Sequence, residues 1–279
     1  MPELPEVETI KRGLEKEIIN KVIAALQVNL PRLLKNITAN QFQELVTGKM
    51  IKAVQRRGKY ILCLLDSSDA LVFHLGMSGL LLYQKKEETV IPKIKQKHNH
   101  LFFAFEDGTK MIYNDVRQFG KIWLIRGDEK LPELESLGWE PLGEDFTFAK
   151  FKEVIQNKKG NIKSLLMNQK NIAGIGNIYA NETLFYAGIH PLRKGDSLST
   201  QELKKLYFAI KDTLHKAIIL GGTTMADESY RNLWGNPGNF APEILVYGKK
   251  NGYCPNCGCP LSIIRIENRS TFLCPDCQK

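Results

Sequence analysis

Two cysteine pairs carry the most specific chemistry in this chain: Cys254-Pro-Asn-Cys257 and Cys274-Pro-Asp-Cys277, separated by residues 258–273. Each Cys-x-x-Cys places two thiolates on one tight knuckle. Two knuckles at the ends of a hairpin complete a tetrahedral four-thiolate site with no position left for a catalytic water. The expected metal is one zinc ion with a structural role. Two other uses of paired cysteines fit less well: disulfides require export, and a redox Cys-x-x-Cys opens a helix in a βαβ unit instead of ending a chain as a symmetric pair. The hairpin between the knuckles, Leu261 to Phe272, carries Arg265 and Arg269 among β-branched residues. It is expected to point a basic finger at something anionic. Cys63, inside the apolar run Tyr60 to Leu65, reads as core, and Cys259 as an idle neighbour of the metal site.

At the other end of the chain, Val7, Ile10, Leu14 and Ile18 recur at helical spacing, with Lys11, Arg12, Glu15 and Lys16 opposite. An amphipathic helix therefore starts almost at the N-terminus. It tethers Pro2 and Glu3 to a rigid element; the plainer reading is a helix start with favourable early carboxylates. A third stretch, Ala173-Gly174-Ile175-Gly176-Asn177-Ile178, offers backbone N–H groups at a helix start, which suits a phosphate. Here the plainer reading, a tight turn between packed helices, is preferred.

The elements that must position these residues follow from composition and pattern. A chain of 279 residues allows about two domains. An apolar fraction of 43% and a mean hydropathy of -0.24 suit a soluble globular protein. Thirty-nine Lys+Arg against 30 Asp+Glu give +9 and a pI near 9.1, which suggests an anionic partner, nucleic acid first. The start Met1-Pro2-Glu3-Leu4-Pro5-Glu6 is acidic and proline-rich, unlike a signal peptide, and no apolar run approaches a membrane span. A reducing cytoplasm is the expected compartment, and the protein is expected to be a monomer.

From Lys21 to about Ile125 short β-rich runs predominate: 22–26, 51–54, 60–65, 70–75, 101–105, 111–113 and 122–125. Close spacing of short strands predicts an antiparallel sandwich or barrel. Gln84 to Asn99 reads as a polar surface loop. Leu131 to Phe146, with two prolines and two glycines, reads as a linker. Helical patterns follow at 148–156, 162–167, 178–187 and 200–220, the last with an N-cap at Ser199 or Thr200 and stopped by Gly221-Gly222. Met225 to Ala241 is aperiodic and reads as a loop. The expected class is α+β and multidomain: an N-terminal antiparallel β-sandwich with its helix (1–130), a linker (131–146), a helical domain (147–240) and a zinc ribbon (241–279).

Taken together these residues resemble the formamidopyrimidine-DNA glycosylase family, related to endonuclease VIII. The likeness runs from Pro2-Glu3-Leu4-Pro5-Glu6-Val7-Glu8-Thr9 through Arg56-Arg57-Gly58-Lys59-Tyr60, His74-Leu75-Gly76-Met77-Ser78-Gly79, Gly176-Asn177-Ile178-Tyr179-Ala180-Asn181-Glu182 and Tyr247-Gly248 to the terminal Cys-x-x-Cys-Gln-Lys. The Pro-Glu-Leu-Pro-Glu start is similar to the formamidopyrimidine branch. The resemblance implies a β-sandwich bearing the first helix, a helix-two-turn-helix domain and a zinc ribbon, with double-stranded DNA in the cleft between domains.

It also implies the chemistry. Pro2, once Met1 is removed, matches the nucleophile that forms a Schiff base at the damaged nucleoside, and Glu3 the general acid/base. Glu6, one helical turn on, is placed to support it and is grouped with the DNA-binding positions. Lys59 matches a catalytic lysine that also holds phosphate, and Arg269 the ribbon arginine that grips phosphates flanking the lesion. Met77, Arg117 and Phe119 match the side chains that fill the void left by a flipped base. His98, Lys159, Lys163 and Asn177 match backbone-contacting positions. The implied activity is a bifunctional glycosylase and abasic-site lyase on oxidised purines, acting in a bacterial cytoplasm in association with the nucleoid.

Two departures stand out. The family motif Asp-Pro-Arg-Arg-Phe-Gly is here Asp115-Val116-Arg117-Gln118-Phe119-Gly120, which lacks one proline and one cation. The segment Thr223 to Arg231, expected to cover the flipped base, is slightly longer than the family's, leaving lesion preference open. A lyase preferring oxidised pyrimidines and a non-catalytic damaged-DNA-binding protein are the rival readings. Retention of Pro2, Glu3, Lys59 and Arg269 together argues against the second.

Overall fold

The computed structural model describes every residue except 89, 90, 92, 93 and 227–229. Parts of the expected polar loop 84–99 and of the expected covering segment 223–231 therefore lie outside the described residues. The chain divides into two compact units, Met1–Glu135 with Leu220–Ala241, and Ser136–Ile219 with Pro242–Lys279.

The first unit begins with helix α1 (Leu4–Glu17), followed by β1 (Ile23–Val28), α2 (Ala39–Val46), β2 (Ile51–Arg57), β3 (Tyr60–Leu65), β4 (Ala70–His74), β5 (Gly79–Gln84), β6 (Asn99–Phe105), β7 (Lys110–Asp115), β8 (Lys121–Ile125) and the short α3 (Pro132–Glu135). Eight strands form two antiparallel four-stranded sheets, ordered β1-β6-β7-β5 and β2-β3-β4-β8. One core serves both: Phe73 of one sheet meets Phe103 and Tyr113 of the other at 6.0 and 6.4 Å between ring centroids. The helical spacing of Val7, Ile10, Leu14 and Ile18 corresponds to a face with all four fully buried. Each such side chain contributes roughly 1.5–3 kcal/mol. The returning segment packs here too, with the Leu233 carbonyl accepting from Tyr83 N–H (2.8 Å) and Leu233 lying 3.0 Å from where a Cβ on Gly13 would stand.

Besides the short α3, which falls inside the stretch read as a linker, β5 and α2 of this unit lie outside the periodic runs. Strand β5, Gly-Leu-Leu-Leu-Tyr-Gln, is buried along its whole length and so shows no alternation. Helix α2 has eight residues and buries only Phe42 and Val46, but its N-terminus carries a capping box between Thr38 and Gln41.

The second unit is helical, with α4 (Phe148–Gln156), α5 (Ile162–Met167), α6 (Asn177–Ala187) and α7 (Thr200–Ile219), and ends in the hairpin of β9 (Ser262–Ile266) and β10 (Arg269–Leu273). Glu267 and Asn268 both take positive φ (47° and 60°), which matches the twist that a two-residue hairpin turn needs. Between α5 and α6 the glycine stretch is a tight turn: Gln169 accepts from Gly174 N–H and donates to the Ile175 carbonyl, both at 2.8 Å.

Candidate active site and nucleic-acid interface

At the chain start Pro2 is buried, Glu3 is 2% exposed and Glu6 is 1% exposed. Glu6 fixes this geometry. One carboxylate oxygen accepts from Glu3 N–H (2.8 Å) and the other from Thr223 N–H (2.7 Å). The contact depends on Gly222, which holds φ +83°; a Cβ there would lie 3.0 Å from Glu6 Cγ, Glu6 Oε1 and Tyr230 Cε1. Tyr230 closes the group, donating from its hydroxyl to the Gly221 carbonyl (3.0 Å). Burial, then the Glu6 charge, pushes its phenol far above the usual range. Gly222, read from the sequence only as part of a helix stop, and Thr223 and Tyr230, read only as part of the covering segment 223–231, therefore belong to the group around Glu6, a contact that no local signal in the sequence announces.

Lys59 sits in the β2–β3 turn after Gly58, which has φ +54°, and is 7% exposed. The turn is tied to α1, because Arg56 Nε meets Glu8 Oε2 at 2.8 Å while Arg56 Nη1 donates to the Gly58 carbonyl (3.0 Å). Opposite Tyr60 in the ladder, His74 lies 4.8 Å from that ring, and its Nδ1 accepts from Gly76 N–H (3.2 Å). Burial pushes the imidazole down to about 4, helped by the charges of Lys59 and Lys121. His74 is therefore neutral at physiological pH.

Met77, Arg117 and Phe119 come together for a topological reason. The β4–β5 and β7–β8 connections both cross from one sheet to the other, and β4 neighbours β8 as β5 neighbours β7. The two loops thus share a corner. Gly76, at φ +60°, lets them touch: a Cβ there would stand 2.6 Å from the Phe119 carbonyl carbon. Asp115, fully buried, organises the corner by accepting from Ser78 Oγ (2.6 Å), Gly120 N–H (2.8 Å) and Arg117 N–H (3.2 Å). Above this frame Met77 is 38% and Phe119 53% exposed, and the Arg117 guanidinium lies 5.0 Å from the Phe119 ring centroid. An exposed apolar wedge with a cation stacked on it suits insertion into a base stack. His98 is half-buried, 6.4 Å from His100, which donates to the Asp115 carbonyl (2.9 Å).

In the second unit Lys163, Asn177 and Arg269 meet at the hairpin. The Ser270 carbonyl accepts from Asn177 Nδ2 (3.2 Å) and Lys163 Nζ (3.3 Å), and Lys163 also donates to Thr271 Oγ1 (2.7 Å). Lys163 is 1% exposed and braces the hairpin from within, whereas Arg269 is exposed beside it. Asn181, one turn along α6 from Asn177, accepts from Phe272 N–H (2.7 Å). Glu182, fully buried, accepts from the N–H groups of Leu245, Val246 and Tyr247 at 2.7, 3.0 and 2.8 Å. Lys159 is exposed and joins none of these hydrogen bonds among the described residues.

The four cysteines fit zinc. The sulfurs of Cys254 and Cys277 are 3.7 Å apart and those of Cys257 and Cys274 3.5 Å, and all four lie within 4.8 Å of one another. A tetrahedron of zinc–sulfur bonds of about 2.3 Å requires sulfurs about 3.8 Å apart. Backbone N–H groups of Asn256 and Cys277 point at the sulfurs of Cys254 and Cys274, both at 3.4 Å. Cys259 is engaged where idleness was expected: it donates to Asp276 at 2.6 Å.

Comparison with known proteins agrees with this architecture. The formamidopyrimidine-DNA glycosylase N-terminal domain profile matches residues 1–122, and the H2TH domain profile of the same enzymes matches residues 137–229. A formamidopyrimidine-DNA glycosylase of Wolbachia pipientis subsp. Culex pipiens (strain wPip) is 42% identical over 278 residues, covering 100% of both chains. Two Lactococcus lactis Fpg crystal structures are each 36% identical: one in complex with abasic-site DNA (TM-score 0.89, 99% of both chains covered) and one with Fapy-dG DNA (TM-score 0.88, covering 99% of this chain and 100% of that one). No helix among the described residues is long and apolar enough to cross a membrane. With both domain profiles matched in order and identity above 40% along the whole chain, this protein belongs to the formamidopyrimidine-DNA glycosylase family.

Proposed function

We infer that this protein is a bifunctional DNA glycosylase and abasic-site lyase that removes oxidised purines through a covalent intermediate on Pro2. The observation that carries this reading is the buried Pro2–Glu3 pair at the head of α1, where one oxygen of Glu6 accepts from Glu3 N–H and the other ties it to Thr223 N–H. Binding alone has no use for a rigid N-terminal proline. The complexes of the Lactococcus lactis relatives with Fapy-dG and abasic DNA support the same substrate class.

Removal of Met1 is required, since with Met1 attached the Pro2 nitrogen is an amide without a free lone pair. The freed α-amine has a reference pKa of about 7.7–8.0, so roughly a tenth is free base at neutral pH. Its lone pair attacks C1′, the C1′–N bond breaks as the damaged base leaves, and the N–H proton shed by the newly bonded amine goes to the departing base. Glu3 protonates the sugar ring oxygen, the ring opens, and the Pro2–C1′ bond becomes an iminium. The iminium acidifies C2′; loss of that proton expels the 3′ phosphate, and a second elimination expels the 5′ phosphate. Water then hydrolyses the iminium and regenerates the amine. Lys59 in the first unit and Arg269 in the second are the cations assigned to the flanking phosphates. Met77, Arg117 and Phe119 fill the space of the extruded base. Zinc held by Cys254, Cys257, Cys274 and Cys277 supplies folding of the ribbon and takes no part in the reaction.

The test is borohydride trapping on duplexes bearing 8-oxoguanine opposite cytosine, with protein verified to begin at Pro2 and the adduct located by peptide mapping. A stable adduct on Pro2 is expected. Tight binding with no adduct on any lesion or abasic duplex would leave a non-catalytic binder, and adducts confined to oxidised pyrimidines would overturn the substrate assignment.

A further inference from the structure

Beside the corner that carries Arg117 and Phe119 lies a cation from a distant part of the chain. Arg32 sits in the one-turn 3-10 helix Pro31–Leu33 after β1. The residues that follow run alongside β8. Lys35 N–H donates to the Ile122 carbonyl (3.0 Å), and the Asn36 side chain both donates to the Leu124 carbonyl (2.6 Å) and accepts from Leu124 N–H (3.2 Å). Leu33 and Leu34 are buried beneath. The backbone of Arg32 is thereby fixed where the β7–β8 loop ends.

From that position the exposed Arg32 guanidinium donates to Oε1 of Gln118, 86 residues away. Gln118 holds φ +57° between Arg117 and Phe119, a left-handed backbone that turns its side chain apart from theirs. The chemistry of the partner matters. A carboxylate would orient the guanidinium and cancel its charge, whereas an amide oxygen orients it and leaves the full charge and the remaining N–H donors for an anion. Arg32, Lys35, Arg117 and Lys121 form no ion pair with any carboxylate among the described residues. Unneutralised cations therefore flank the exposed apolar tip of Met77, Val116 and Phe119, which are 38%, 47% and 53% exposed.

We propose that Arg32 is a DNA-contacting residue, aimed by Gln118 at a backbone phosphate beside the point where the Phe119 wedge enters the duplex. The cation that the 115–120 segment lacks is thus supplied from outside it. This assignment rests on the reading of that corner as the part that enters damaged DNA, and adds to it the contact that anchors the wedge.

The experiment is fluorescence anisotropy with a duplex containing an uncleavable abasic-site analogue, titrated across a range of potassium chloride concentrations. Each phosphate contact contributes about 0.9 to the slope of log affinity against log salt. Arg32→Gln is expected to lower that slope by about one and to weaken binding roughly three- to tenfold at low salt, with an unchanged melting temperature because the side chain is exposed. Gln118→Glu, which cancels the charge with Arg32 in place, is expected to reproduce the smaller slope; Gln118→Ala, which leaves the charge but removes the oxygen that aims it, is expected to weaken binding at low salt by a smaller factor than Arg32→Gln, and wild-type affinity in that variant would overturn the aiming role of Gln118. An unchanged slope in Arg32→Gln, or a melting-temperature loss with the slope intact, would overturn the proposal. Because the analogue cannot be cleaved, the answer is independent of chemistry. If wild-type protein gives no trapped adduct while Arg32→Gln still loses its phosphate contact, the catalytic reading falls and this one stands; with a trapped adduct and an insensitive slope, the catalytic reading stands and this one falls.

Discussion

At His74 burial and the charges of Lys59 on the β2–β3 turn and Lys121 on β8 all act in one direction, and the ring is held from the side by Tyr60. With a folded value of about 4 against 6.5 for the free side chain, the unfolded chain binds more protons between those two pH values. Stability therefore rises with pH across that window: it is fully present above pH 6.5 and is lost as pH falls toward 4, by at most on the order of 3 kcal/mol. Comparing urea midpoints at pH 7 and pH 4.5, wild type should lose more stability on acidification than His74→Gln; parallel losses would mean that the imidazole titrates normally. At this scale the metal knuckles were legible from their spacing alone, whereas the Pro2-Glu3 start stood out only by resemblance. The partner of Glu6 was not legible. Thr223 is 217 residues away, and only the closed fold brings its N–H to that carboxylate.

Among the elements, the long helical and alternating segments were legible because each has one buried face. Strand β5 was not, since a strand buried on both sides loses its period, and α2 is too short for two apolar residues to make a pattern. The corner loops were legible only by resemblance; their meeting follows from the strand orders. Glu182 shows how one side chain joins elements: from α6 it accepts from three successive N–H groups before the ribbon. Burial raises its carboxyl, against the pull of those N–H groups. Glu182→Ala would take this acceptor away from all three donors, each such loss costing about 1–3 kcal/mol, so a loss of several kcal/mol is expected in chemical unfolding of the second unit. Glu182→Gln keeps one acceptor oxygen and should lose a smaller amount. Equal losses in the two variants would show that packing, not the donors, sets the cost.

For the whole molecule, the basic balance of +9 points to an anionic partner class, in line with the DNA of the proposed function, but not to where the charge is used. The division into two units decides how metal loss propagates. The core of the first unit contains none of the metal ligands, whereas the ribbon core of Phe185, Val246, Cys254, Leu261, Phe272 and Cys274 includes two of them. Without zinc that small cluster must bury thiols with nothing to gather them, and structural zinc sites supply folding energy outright. Strand β10 would loosen first. The Phe272–Asn181 and Thr271–Lys163 hydrogen bonds would go with it, carrying the disorder into α5 and α6 and releasing Arg269 from its position. Stripping zinc with a chelator, or making Cys274→Ser, should accelerate amide hydrogen exchange in β9, β10 and the N-terminal turns of α5 and α6 while β2 to β8 keep their protection. DNA affinity should fall with it. Exchange that quickens equally in both units, or DNA binding that survives metal loss, would contradict the assignment of the ribbon as the metal-dependent support of Arg269.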